Sequence, residues 1–138
     1  SGMGVSAMNW PMQYFEPSEV LSPDGLELLG RGILPVSRNA LLELDRFRAV
    51  VDRPLICNSG ERRLRGFRSL REAQELYRGE RKYTFHLWCA FDISCMYLSP
   101  EELFEKAVKS GLFGGIGLYS WGVHVDGRDG TPMVTWTK

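Results

Sequence analysis

Two histidines, His86 and His124, stand in the C-terminal half of the chain, and each has a carboxylate close by in sequence. His86 belongs to Thr84-Phe85-His86-Leu87-Trp88-Cys89-Ala90-Phe91-Asp92-Ile93. His124 belongs to Gly122-Val123-His124-Val125-Asp126-Gly127-Arg128. Two imidazoles and one carboxylate, with a further position left to water, form a ligand set suited to catalytic zinc. Such an ion brings the pKa of a bound water to about 7 and makes hydroxide available at neutral pH. Taken singly, each histidine is more ordinarily a hydrogen-bonded structural residue than a ligand, and each Asp a turn or cap residue. The spacing is not the compact H-E-x-x-H pattern, which is diagnostic alone.

Positioning these groups requires strands. Residues two apart in a strand share a face. His124 and Asp126 therefore point one way, while Val123 and Val125 point into a core. Ala90 and Asp92 likewise share a face, opposite Phe91 and Ile93. Two such strands side by side could bring Asp92 and His124 together, with His86 arriving from the loop before its strand.

The surrounding sequence supplies helices and further strands. Leu41, Leu44, Phe47 and Val51 recur at helical spacing, so 39–51 reads as a helix capped by Ser37 or Asn39 and ended by Arg53-Pro54. Leu55-Ile56-Cys57 reads as a short buried strand, and Asn58-Ser59-Gly60 as a turn. Ser69-Leu70-Arg71-Glu72 is a capping box opening a helix to about Tyr77, stopped by Gly79. Ser99-Pro100-Glu101-Glu102 is a second, with proline at the first helical position. Its helix carries Leu103, Phe104, Ala107 and Val108 on one face and ends at Gly111. Gly114-Gly115-Ile116-Gly117-Leu118-Tyr119 reads as a strand that something approaches closely, since glycine removes the side chain there. Residues 123–126 and 133–136 read as further strands. Residues 3–36, with Pro11, Pro17, Pro23 and Pro35 breaking regular structure, read as an N-terminal arm packed on the domain of residues 37–138 through Tyr14-Phe15 and Leu26-Leu28-Leu29. Ser1-Gly2 ahead of Met3 has the look of a tag-cleavage remnant. Separated helices and strands in one short chain make an α+β domain.

Composition narrows the function classes. The chain has 138 residues, 43% of them hydrophobic, enough for one domain with a core that needs no disulfide staples. Lys plus Arg and Asp plus Glu balance at 17 each, which argues against nucleic-acid binding. The arginine-rich stretch from Arg62 to Arg81 reads as a solvated face. Cys57, Cys89 and Cys95 lack the spacing of a zinc ribbon or a redox motif and read as small buried hydrophobes. No apolar run is long enough to span a membrane, and no leader segment opens the chain. The expectation is synthesis in the cytoplasm.

At the histidine segments the chain resembles the zinc D-alanyl-D-alanine peptidase family, the VanY-like peptidoglycan peptidases with many phage and prophage members. The resemblance spans roughly residues 14–136. Ser59-Gly60-Glu61-Arg62 is similar to the family's S-G-Y-R segment. Thr84 to Ile93 is similar to its S-x-H-x-x-G-x-A-x-D segment. Gly114 to Tyr119, then His124-Val125-Asp126 and Arg128, resembles the G-G-I-G-x-Y … H-V-D-x-R ending of one branch. The resemblance implies a hedgehog/DD-peptidase-like fold, with a small antiparallel sheet and helices cradling zinc. It implies His86, Asp92 and His124 as metal ligands, and Arg62 as the group that binds the substrate carboxylate or steadies an oxyanion. The implied reaction is hydrolysis of a peptide bond in the peptidoglycan stem, as carboxypeptidase or endopeptidase, at the cell wall after phage-type release. Tyr119 and Trp121 are candidates for lining the substrate groove, although burial as core aromatics is the more ordinary fate of such residues.

The chain departs from the family pattern in ways that bear on chemistry. His86 to Asp92 is one residue short, and the glycine between them is missing, with Cys89 near its place. Cys89 is a replacement ligand or, more ordinarily, an inert buried thiol. Where the family has a glutamate base three residues before the last histidine, this chain has Trp121. Asp126 is the nearest carboxylate alternative, either as catalytic base or as a group orienting a ligand. The same departures motivate a second expectation, a family-fold module that binds metal or wall peptide without turnover.

Overall fold

The structure is a computed structural model of the chain, and residues 9–62, 85, 89–128 and 133–138 are described. In chain order these residues form α1 (Pro17–Val20), α2 (Pro23–Gly30), α3 (Arg38–Val51), β1 (Ile56–Ser59), β2 (Ala90–Ser94), α4 (Pro100–Ser110), β3 (Gly115–Leu118), β4 (Val123–Asp126) and β5 (Val134–Thr137). The helix expected over 69–77 lies outside the described residues, as does most of the arginine-rich stretch.

Local chemistry sets the helix ends. In α3 the Ser37 hydroxyl accepts a hydrogen bond from Ala40 N at 3.2 Å. Its far end is Asp52, in the left-handed region at φ 56°, whose N–H donates to the Arg48 carbonyl. The helix thus stops just before Arg53-Pro54. In α4 the expected capping box forms in both directions between Ser99 and Glu102, and Gly111 at φ 67° ends the helix. Pro17 and Pro23 break structure only in the sense that they begin it. Each occupies the first turn of a short helix, where a missing N–H costs nothing.

The N-terminal segment is built into the domain core. Met12, Phe15, Val20, Leu21 and Leu29 belong to the same buried cluster as Leu41, Leu44 and Phe47 of α3 and Leu103 and Ala107 of α4. A polar clasp reinforces this packing. Buried Glu61 accepts hydrogen bonds from Ser22 N at 3.2 Å and from Ser22 Oγ at 2.9 Å. Its own N–H donates to the Val20 carbonyl at 2.8 Å.

A five-stranded sheet runs in the order β1-β2-β4-β3-β5. One face carries Phe91, Ile93, Val123, Val125 and Ile116 into the core, where Phe47 and Phe113 meet edge to face at 5.4 Å. The sheet is mixed, a correction to the antiparallel sheet expected from sequence. All neighbouring strands are antiparallel except β3 and β5, which are parallel. β4 ends and β5 begins beside Gly115, the first residue of β3, on opposite sides of that strand. Gly114 sits at the crossing: its N–H donates to the Asp126 carbonyl at 3.0 Å, and its carbonyl accepts from Val134 N at 2.9 Å. A Cβ on Gly114 would collide with the Arg128 carbonyl. β1 also differs from expectation, because Asn58 and Ser59 belong to the strand and the register shifts between Cys57 and Ser59.

Candidate metal centre and cleft

The second face of the sheet carries the candidate site. Asp92 on β2 is the direct register partner of His124 on β4. The Asp92 Oδ1 and His124 Nδ1 atoms are 3.1 Å apart. On its other side the imidazole meets Asp126, with Nε2 and Oδ2 separated by 2.7 Å. Asp126 is fully buried and also accepts from Arg128 Nε at 2.8 Å, Arg128 Nη2 at 2.7 Å and Arg128 N at 3.1 Å. The β3 glycines make room for this assembly. A Cβ on Gly115 would strike the Asp126–Arg128 pair, and one on Gly117 would strike the Trp136 indole. The close approach read from the glycine-rich segment is therefore real.

Burial pushes the Asp126 carboxyl up. The hydrogen bonds from His124 and Arg128, with the Arg128 charge, overcome this and hold it at about 2. Burial of His124 disfavours its charged form, but hydrogen bonds and charges of Asp126 and Asp92 outweigh burial and raise its pKa. The tautomer follows. Asp126, ionised at neutral pH, accepts the Nε2–H of His124, so in neutral imidazole Nδ1 bears a lone pair. That lone pair faces an Asp92 oxygen, and two acceptors cannot satisfy each other. A proton or a metal ion must lie between them. For a tetrahedral ion at about 2.0–2.1 Å from each donor, adjacent ligand atoms are roughly 3.3 Å apart, close to the 3.1 Å between Nδ1 and Oδ1. The 3.1 Å separation is compatible with one edge of a tetrahedral zinc site and equally with an Nδ1–H···O hydrogen bond.

Arg62 reaches the same place from the end of β1. Its Nε donates to Ser59 Oγ at 2.7 Å, and its Nη2 lies 3.3 Å from Asp92 Oδ2. An open cleft of about 320 Å³ is lined by Arg62, Asp92, Tyr119, Trp121 and His124, joined by Phe85, Arg128 and Trp136. Tyr119 and Trp121 stack at 5.2 Å, and Trp121 is 45% exposed, so neither is a core aromatic. Trp136 Nε1 donates to Tyr119 Oη at 2.9 Å, and its ring lies 5.3 Å from the His124 ring. The Arg128 guanidinium sits 4.2 Å from the Phe85 ring centre and 5.1 Å from that of Trp136.

Of the site residues read from sequence, Arg62, Asp92, Tyr119, Trp121 and His124 line one cleft, and Asp126 lies beneath His124. His86 lies outside the described residues. Among the described residues, no group of three or more His, Cys, Asp or Glu side chains is arranged to hold a metal ion. Cys89 is buried on the Phe91–Ile93 side of β2, away from Asp92, and burial, then the Asp126 charge, push its thiol pKa up. Trp136 and Phe85 were not singled out as site residues. Gly117 was the available signal for Trp136, since a glycine inside a strand marks where a large group packs across it.

Comparison with protein-family models, with curated proteins and with solved structures returned no match. No helix among the described residues is long and apolar enough to cross a membrane.

Proposed function

We propose that this chain is a zinc-dependent peptidase acting on the stem peptides of peptidoglycan, with His86, Asp92 and His124 as metal ligands. One observation carries the reading. His124 Nδ1 and Asp92 Oδ1 converge at 3.1 Å while Nε2 is fixed by an ionised, buried carboxylate. Carboxylate–imidazole–metal relays are the usual support for a metal-binding histidine, because they fix the tautomer and raise ligand basicity. When bound, zinc supplies Lewis acidity and an acidified water.

The chain's own groups supply the rest. Asp126, backed by Arg128, orients His124. Arg62 offers guanidinium N–H groups to a substrate carboxylate or an oxyanion at the cleft mouth. Tyr119, Trp121 and Trp136 line an aromatic wall of the cleft. Asp126 is poorly suited to be the general base. Its pKa of about 2 lies far below the operating pH, and its oxygens are committed to His124 and Arg128.

That commitment, with Trp121 at the expected glutamate position, favours a second reading. In it the chain is a phage-type structural module that binds metal or wall peptide without turnover. Two measurements separate the readings. Metal analysis of purified protein is expected to give about one zinc per chain, lost in His124→Ala and His86→Ala. Retention of zinc by both variants would sink the ligand assignment. Release of D-alanine or peptide fragments from purified peptidoglycan distinguishes turnover from binding alone.

A further inference from the structure

The cleft over His124 does not end at Asp92. A second cleft, also of about 320 Å³, continues beyond it and is lined by Asn58, Asp92, Ser94 and Trp121. Asp92 and the exposed Trp121 border both clefts, so the reacting centre sits where the two join.

The two halves differ in charge. Among the described residues, Arg62 and Arg128 line the first, whereas the second adds only neutral groups, an amide and a hydroxyl, to Asp92. The irregular register of β1 near Asn58 accompanies this arrangement, and Asn58 Nδ2 donates to Ser94 Oγ at 3.0 Å. The two side chains also comprise an amide carbonyl, a second amide N–H and a hydroxyl proton. These complement the N–H and C=O groups of a peptide backbone. Among the described residues, a terminal carboxylate in the second cleft would face Asp92 and meet no cation, whereas in the first it meets Arg62.

We propose that the Asn58–Ser94–Trp121 cleft is the subsite for the peptide backbone that precedes the terminal D-Ala-D-Ala pair, on the amino side of the scissile bond. The carboxyl side then lies towards Arg62. This polarity rests on the peptidase reading and makes Ser94 and Asn58 specificity-determining residues.

The test is calorimetric titration of the full chain, with and without equimolar zinc, by two probes. One is a stem-type pentapeptide ending in D-Ala-D-Ala, and the other is the D-Ala-D-Ala dipeptide. The pentapeptide is expected to bind about tenfold tighter. Ser94→Leu, which fills the cleft from an outward-facing position, removes that advantage and leaves dipeptide affinity unchanged. Asn58→Ala, which fills nothing, weakens the pentapeptide alone, and circular dichroism checks that both variants fold. Equal affinity of the two probes, no binding of either, or equal weakening of both by the variants overturns the proposal. Zinc content and hydrolysis are scored separately. A pentapeptide advantage that responds to Ser94→Leu in a protein without zinc or turnover sinks the peptidase reading and leaves the subsite. Turnover with normal pentapeptide preference in Ser94→Leu sinks the subsite alone.

Discussion

His124 and Asp126 stand two residues apart on one strand and are joined side chain to side chain, Nε2 to Oδ2, at 2.7 Å. A strand puts residues two apart on one face, so this contact is local. The clamp on its far side is local too: Arg128, two residues further on, grips the same carboxylate with two guanidinium nitrogens. If the relay orients a metal ligand, Asp126→Asn keeps the shape but loses the charge. Zinc affinity is then expected to fall about 10–100-fold while the fold persists. Competition with a chelating dye measures this, and an unchanged affinity would remove Asp126 from that role.

The same pair sets an acid limit. Asp126 is held at about 2 against an ordinary value of 3.8. A carboxyl depressed in the folded state stabilises fully above its unfolded pKa and loses that contribution as pH falls through its folded pKa. The window is therefore about pH 4 down to pH 2, and the contribution is on the order of 2 kcal/mol. Urea unfolding across this window should show wild-type stability falling with pH. In Asp126→Asn the slope should be shallower. Identical slopes would mean that other carboxylates dominate.

Removing the partner is costlier than neutralising the acid. Arg128→Ala leaves a fully buried carboxylate without its bidentate cation and empties the space beside Phe85 and Trp136. A loss of about 3–5 kcal/mol is expected by thermal or urea unfolding. A loss below about 1 kcal/mol would show that the clamp is dispensable.

Glycines make opposite forecasts at two positions. Gly114→Ala drives a Cβ into the Arg128 backbone at the strand crossing and is expected to destabilise by about 1–3 kcal/mol. Gly30, in α2, has open space around its missing Cβ. Gly30→Ala is expected to stabilise by about 0.5–1 kcal/mol through helix propensity and a less flexible unfolded chain. Melting temperatures that move the same way in both variants would refute this contrast.

The cysteines should be slow to alkylate. Burial, then the Asp92 charge, push the Cys57 thiol up to about 12, and Cys89 is buried with its thiol also pushed up. Iodoacetamide at neutral pH followed by mass spectrometry should leave both unmodified in folded protein and modify them in urea. Rapid native labelling of Cys89 would reopen its candidacy as a ligand.

Much of the fold and half of the site geometry were legible in the sequence, for definite reasons. The faces of β2 and β4 could be read because apolar and polar residues alternate there, so Asp92 and His124 were each placed opposite the core, but that the two strands are neighbours in this register did not follow from period. α4 could be read because its box, proline and terminal glycine agree. The parallel placement of β5 could not, because strand direction within a sheet depends on the path of the connection, which residue pattern does not encode. Trp136 was missed for the same reason, since it reaches His124 only through that placement. The Ser22–Glu61 clasp was hidden by separation, because nothing local to either residue names the other.

The pairing of β2 with β4 also has an error-correcting side. Slipping the two strands by one residue would turn His124 and Asp126, or Asp92, towards the core and expose some of Phe91, Ile93, Val123 and Val125, all now buried. Each such side chain forfeits roughly 1.5–3 kcal/mol when returned to water. Oil-like packing on one side of the sheet thus proofreads the alignment of an imidazole with a carboxylate on the other. The accuracy of the polar chemistry is inherited from residues that touch neither group.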